Sequence, residues 1–177
     1  MLTILLTVLF VLVGSLAQAD TSSTHEQQNT KQYGNCGVST GVDMFTDEEI
    51  HVFVCVEETL TDKTQIAIRS DSKSLTILLS KGVQFHLDTH IQVVIRIDKD
   101  GLIRRTASWN SSTAHAIISD EQLAHQLLRD LARGHRVAIQ VGDEGGHIRL
   151  DGSQHAVADF RRRAGLQPQQ TLEIPTH

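Results

Sequence analysis

His86 and His90, with Asp88 between them, are the best-spaced metal-ligand candidates in the chain. At i and i+4, two imidazoles share one face of a helix or of a regular strand, as two ligands to one ion must. No third donor stands at matching spacing, and the segment around them reads as a connection between strands. The expectation is therefore surface histidines, with no metal or other cofactor. Cys36 and Cys55, the only two cysteines, form the other reactive pair. An even count in an exported chain predicts a disulfide, and closing a loop of about 20 residues is worth roughly 3 kcal/mol. Two separate buried thiols are the alternative. The absence of a Cys-x-x-Cys spacing argues against a thiol oxidoreductase. Direct opposition of Cys36 and Cys55 in one hairpin would place the turn at Phe45-Thr46, which is poor turn chemistry. A turn at Thr46–Glu49 would put them out of register, so a bulge or a less direct geometry is expected.

Other motifs carry less chemistry. Asp98-Lys99-Asp100-Gly101 is similar to part of a calcium loop, but Arg96 and Ala107 occupy two ligand positions, so a turn is the reading. Gly142–Gly146 lacks the Lys-Ser/Thr ending of a phosphate loop and opens no helix. It reads as a flexible hairpin tip. Arg161-Arg162-Arg163 ends a helix, where positive charge complements the carbonyl end of the dipole. Asn110-Ser111-Ser112 fits a glycosylation acceptor, relevant only in a eukaryotic secretory pathway. Neither G-x-S-x-G nor H-E-x-x-H occurs, and the catalytic residues remain unknown.

The elements that would position these residues follow from periodicity. Runs at Ile50–Val56, Gln65–Arg69, Ser74–Leu79 and Ile91–Asp98 are short and rich in Val, Ile and Thr, as strands are. Lys99-Asp100-Gly101 folds Ile91–Asp98 back on Leu102–Trp109 as a hairpin. Ser119 with Gln122 has the capping-box form, and Leu123, Leu127, Leu128 and Leu131 follow at helical spacing. A helix is predicted over Asp120–Arg133, with Gly134 as a left-handed stop. A second hairpin joins Arg136–Val141 to His147–Leu150. A closing helix starts near Ser153, buries Ala156, Val157, Phe160 and Ala164, and ends at Gly165. The fold class is α+β: a mainly antiparallel β-sheet with two helices packed on it.

The start of the chain predicts export. Residues 2–13 are apolar apart from Thr3 and Thr7, and Ala17-Gln18-Ala19 matches a signal-peptidase site before Asp20. An apolar run of about a dozen residues is short for a bilayer, which needs about 20. An uncleaved anchor is the alternative. The expected organisation is a signal peptide over 1–19, a disordered lead-in over 20–33, one α+β domain over 34–165 and a flexible tail over 166–177. Net charge is −5, with 21% charged residues. That balance gives no footprint for nucleic acid or an anionic membrane.

The order of several short segments resembles a known group. They are Val38-Ser39-x(3)-Asp43 with Thr46-Asp47, Ile66-Ala67-Ile68-Arg69, Ile95-Arg96-Ile97-Asp98, Ala107-Ser108-Trp109-Asn110-Ser111-Ser112 and Leu150-Asp151-Gly152 before the closing helix. Over Val38–Gly165 the chain resembles small exported bacterial proteins of the type VI secretion-associated periplasmic group. It resembles more distantly the invasion-associated locus B group. It departs from them at Ser70 and Ala164-Gly165, where those relatives carry cysteines, and at Gly37, where they carry Trp. The resemblance implies a β-rich envelope domain that acts by binding, and it supplies no catalytic residue. The expected function is a periplasmic or secreted, non-enzymatic accessory protein. It would bind a protein or cell-envelope component of a secretion, conjugation or host-interaction system, with no nucleic acid and no membrane span after signal cleavage. A hydrolase with dispersed catalytic residues and a small metal-binding module are the alternatives.

Overall fold

Alternating apolar and polar residues build the strands, because successive side chains point to opposite faces of a sheet. A computed structural model describes residues 29–43, 46–59, 63–72, 74–81 and 90–166. The predicted signal peptide, residues 20–28, His86, Asp88 and the tail beyond Leu166 lie outside the described residues. Five strands fill the first half: β1 (Asn29–Tyr33), β2 (Cys36–Val42), β3 (Glu49–Glu58), β4 (Lys63–Ser70) and β5 (Leu75–Ser80). Then come β6 (His90–Ile97), β7 (Ile103–Asn110) and β8 (His115–Ile118), followed by helix α1 (Glu121–Arg133). A last hairpin, β9 (Arg136–Val141) and β10 (Glu144–Arg149), leads into helix α2 (Ser153–Arg163).

All described pairings are antiparallel, and the ten strands form one sheet in the order β1-β2-β3-β4-β5-β8-β7-β6-β9-β10. Two helices pack on it, giving the α+β class expected from periodicity. So long a sheet coils under its own twist. Here β10 returns to the ends of β3 and β4: the Arg149 N–H donates to Glu57 Oε2 at 3.2 Å. At Gly146 an added Cβ would lie 2.2 Å from Thr64 Oγ1, so only glycine lets the strand approach that closely. Both helices pack on the sheet, α2 against β1, β2 and β3 and α1 against β5. Leu123, Ala124, Leu127, Leu128 and Leu131 of α1 are buried, and Phe160 of α2 meets Phe53 of β3 with ring centroids 6.2 Å apart.

Several expectations need correcting. Residues 29–33 are not part of a disordered lead-in: they form β1, whose backbone pairs with β2 from Asn29↔Thr40 to Tyr33↔Cys36. Gly34-Asn35 makes the intervening turn, with Gly34 at φ +58°. This turn packs against Asp151-Gly152, where Gly152 sits at φ +80° and a Cβ would fall 2.2 Å from the Tyr33 carbonyl oxygen. Cys36 and Cys55 face each other directly across β2 and β3, without a bulge, and are disulfide-bonded. That register is reached because the connection runs from Asp43 to Glu48, closed by Asp43 N–H to the Glu48 carbonyl at 2.8 Å. It is not a two-residue turn. In α1 the cap is Asp120, whose carboxylate accepts the Leu123 N–H at 2.9 Å, rather than Ser119. Gly134 ends the helix in an extended conformation, at φ −77°. Glycine stands there for space, since a Cβ would meet Ile97 Cγ2 at 2.5 Å. The tip between β9 and β10 is only Gly142-Asp143, because Gly145 and Gly146 belong to β10.

Candidate binding face

Strand alternation leaves one broad surface uncovered by the helices. On β6 the outward residues are His90, Gln92, Val94 and Arg96, while Ile91, Val93, Ile95 and Ile97 enter the core. Register then fixes their neighbours. Val94 stands opposite Arg104 on β7 and Gln140 on β9, and Arg96 stands opposite Ala138. On β10, Gly145, His147 and Arg149 continue the rows of Gln140, Ala138 and Arg136. Arg96, Arg104 and Arg136 are exposed, and among the described residues none forms an ion pair through its guanidinium. Because Ala138 and Gly145 are small, two shallow adjoining depressions open between the longer side chains. One, of about 330 Å³, is lined by Arg96, Asp98, Arg136 and His147. The other, of about 260 Å³, reaches Val94, Gln140 and Leu102, which is 52% exposed.

Two carboxylates hold this face in shape. Asp98, at φ +48° in the β6–β7 turn, accepts the His135 and Arg136 N–H groups at 3.0 and 2.9 Å. The His135 backbone N–H is the main reason its carboxyl is held below the ordinary value, against a smaller opposing effect of burial. Glu57 is likewise lowered, chiefly by the Arg149 N–H, and it also accepts Asn35 Nδ2 at 2.8 Å. Both carboxylates also meet a basic side chain, Asp98 with His135 Nδ1 at 3.5 Å and Glu57 with Arg149 Nε at 3.4 Å, so each is engaged by the strands it ties together.

A second polar cluster joins α2 to the first strands. Asp159 is only 4% exposed. Tyr33 donates its hydroxyl to Oδ2 at 3.0 Å, Arg163 lies 3.0 Å from the same oxygen, and Arg162 contacts Oδ1. Burial pushes the Asp159 pKa up, but hydrogen bonds from Arg163 and Tyr33 and the Arg163 charge outweigh it, so it lies below the ordinary value. Arg163 also donates to the Asn29 carbonyl at 2.8 Å and to Thr40 Oγ1 at 3.2 Å. His51 Nδ1 is 3.1 Å from that hydroxyl, and its Nε2 is 3.9 Å from Glu49. A Thr–His–Glu line resembles a nucleophile with its base, yet 3.9 Å is too long for the orienting hydrogen bond a triad requires. The cluster works as a clamp of α2 on β1 and β2. Arg161 points elsewhere: burial, with Arg129 and Arg133 of α1 nearby, lowers its pKa. A wider groove of about 620 Å³ runs beside the first turns of α1, but its Arg105 and Asp120 pair with each other at 3.4 Å.

Of the residues singled out by type and spacing, Cys36 and Cys55 are brought together. His90 is exposed at the start of β6 opposite Ser108, and its partner candidate His86 lies outside the described residues. Among the described residues no group of three His, Cys, Asp or Glu is placed to hold a metal. Asn110 is used locally, its Oδ1 accepting the Ser112 and Thr113 N–H groups at 3.0 and 3.2 Å. The arginines of the outer face were not singled out. Their signal is the polar alternation Gln92-x-Val94-x-Arg96, Arg104-x-Thr106-x-Ser108 and Arg136-x-Ala138-x-Gln140.

Against known proteins, the chain matches no family model, no curated protein and no solved structure. What the fold and the face define is a disulfide-bonded β-rich domain with an arginine-bearing sheet surface that, among the described residues, neither helix covers. The disulfide indicates an oxidising, extracytoplasmic compartment. Among the described residues no helix is long and apolar enough to cross a membrane.

Proposed function

We propose that this protein is an exported, non-enzymatic binding domain, periplasmic or secreted, whose outer sheet face docks a protein or envelope component. The machinery it would serve is a secretion, conjugation or host-interaction system, as the resemblance to type VI secretion-associated periplasmic proteins suggests. The observation that carries the reading is the β7-β6-β9-β10 surface. It is exposed, pinned by Asp98 and Glu57, and dimpled over Ala138 and Gly145. Rigid strands make a more precise platform than loops for a recognition surface. The hairpin tip adds little, since it is reduced to Gly142-Asp143.

The Thr40–His51–Glu49 line is the observation closest to the hydrolase alternative. Its hydroxyl already accepts Arg163, and its acid does not orient the imidazole. The test is recovery of partners from the native envelope fraction after crosslinking the mature domain in place. Reproducible recovery of secretion-apparatus or outer-membrane components supports the reading. Recovery of nothing above background from a folded, exported protein overturns it.

A further inference from the structure

Three arginines whose guanidinium groups form no ion pair among the described residues stand on neighbouring strands of the sheet along a diagonal. Arg104 of β7 is level with Val94 of β6, Arg96 is two residues further along β6, and Arg136 of β9 is two residues beyond Ala138, the partner of Arg96. Each step is therefore a diagonal cross-strand neighbour, with side chains about 7–8 Å apart. Arg149 on β10, level with Arg136, extends the line, although it also pairs with Glu57 and Asp151. Around the diagonal, Gln92, Thr106 and Gln140 present amide and hydroxyl groups, with Gln92 Nε2 donating to Thr106 Oγ1 at 2.8 Å. A chain of net charge −5 has thus gathered three exposed arginines along one face, while the Asp98 carboxylate beside Arg96 and Arg136 is taken up by the His135 and Arg136 N–H groups.

We propose that Arg104, Arg96 and Arg136 form a track for a linear polyanion, and that its ligand is an acidic polysaccharide. The inference rests on the outer face being the binding surface, and it names the chemistry of the ligand. Guanidinium forks pair with carboxylate and sulfate oxygens, and the flanking amides and hydroxyls can bind sugar hydroxyls. The track spacing suits charges recurring along an extended chain. An acidic peptide added as a β-strand fits less well. It would run parallel to β10 rather than diagonally across the strands, and the Arg149 N–H of that edge already binds Glu57. Single-stranded nucleic acid wants large aromatic platforms for its bases, and the outward residues of β6, β7, β9 and β10 named above include no Phe, Tyr or Trp, only the imidazoles of His90 and His147. An anionic bilayer wants apolar side chains to insert beside the charge, and among the described residues Leu102 is the one exposed large apolar residue at this face.

The experiment measures binding of the mature protein to polygalacturonate and to dextran sulfate, with neutral dextran as reference. Polyglutamate, a single-stranded oligonucleotide and phosphatidylglycerol vesicles are the competing probes. The stripe variant Arg96→Gln/Arg104→Gln/Arg136→Gln is compared with a charge-matched control, Lys31→Gln/Lys63→Gln/Arg133→Gln, whose residues lie off the face and are exposed. Wild type and control should bind one or both acidic polysaccharides and not dextran. Log affinity should fall against log salt with a slope of about −2 to −3, from counterions displaced at three contacts. The stripe variant should lose at least tenfold. If that variant does not fold, Arg96→Gln and Arg104→Gln alone should each lose about threefold. Absence of binding to both acidic polymers at low salt overturns the inference, as does equal binding by the stripe variant. Tighter binding of polyglutamate, oligonucleotide or vesicles also overturns it, reassigning the track to that class. If the polymers fail while a photocrosslinker at Gln92 still captures a partner in the envelope, only the polyanion falls and the binding face stands.

Discussion

Replacing Asp159 by Ala removes the acceptor that holds Tyr33, Arg162 and Arg163 together, and the loss can be sized from the geometry. Breaking a buried ion pair from one side costs about 3–5 kcal/mol when the surviving charge stays buried. Here the surviving charges are only partly buried. The Arg162 side chain is 75% exposed and that of Arg163 is 16% exposed, so water compensates part of the loss. The expected destabilisation at neutral pH is about 2–3 kcal/mol, including the unsatisfied Tyr33 hydroxyl. The pH dependence adds a second constraint. Because the folded state lowers the Asp159 pKa, its contribution is fully present above the unfolded pKa and is lost as pH falls through the folded one. Urea unfolding of wild type and Asp159→Ala should therefore differ by about 2–3 kcal/mol at pH 7 and by less than half of that near pH 2. A difference below about 1 kcal/mol at neutral pH, or one that does not shrink in acid, would refute the clamp.

Three further perturbations test other parts of the fold. Cys36→Ser/Cys55→Ser should cost about 3 kcal/mol in urea unfolding, and reducing the wild type should reproduce the shift. Gly152→Ala puts a Cβ against the Tyr33 carbonyl at a left-handed position, so a loss of about 2 kcal/mol or more is expected in thermal melts. Asp98→Ala strands the His135 and Arg136 N–H groups at a partly exposed site. It should cost about 1 kcal/mol at neutral pH and less in acid, because the folded-state pKa of Asp98 is lowered.

The elements legible in the sequence are those whose periodicity decides them without help from distant residues. β3 to β7, α1 and α2 fall close to their predicted places because Val, Ile and Leu recur at periods of two or of three to four. Lys99-Asp100-Gly101 does form the connection between β6 and β7. β1 was not legible: Asn29 to Gln32 are polar and exposed, and only pairing with β2 and the Arg163 bond to the Asn29 carbonyl make them a strand. β8 has four residues, too few for alternation to register. The Cys36–Cys55 register was hidden by the loop length between Asp43 and Glu48, and Asp159 by its place among Ala156, Val157 and Phe160 on a buried helical face. The arginine track depends on three strand registers at once, so it emerges only from the folded sheet.

Site-specific photocrosslinking in the native envelope tests the binding face most directly. Photoreactive residues at Gln92 and Gln140, on the outer face, would be compared with the same groups at Gln126 on α1 and Gln154 on α2, which are also exposed. A reproducible adduct is expected from Gln92 and Gln140, and none from the helix positions. Adducts confined to Gln126 or Gln154 would put the contact on the helices and contradict it.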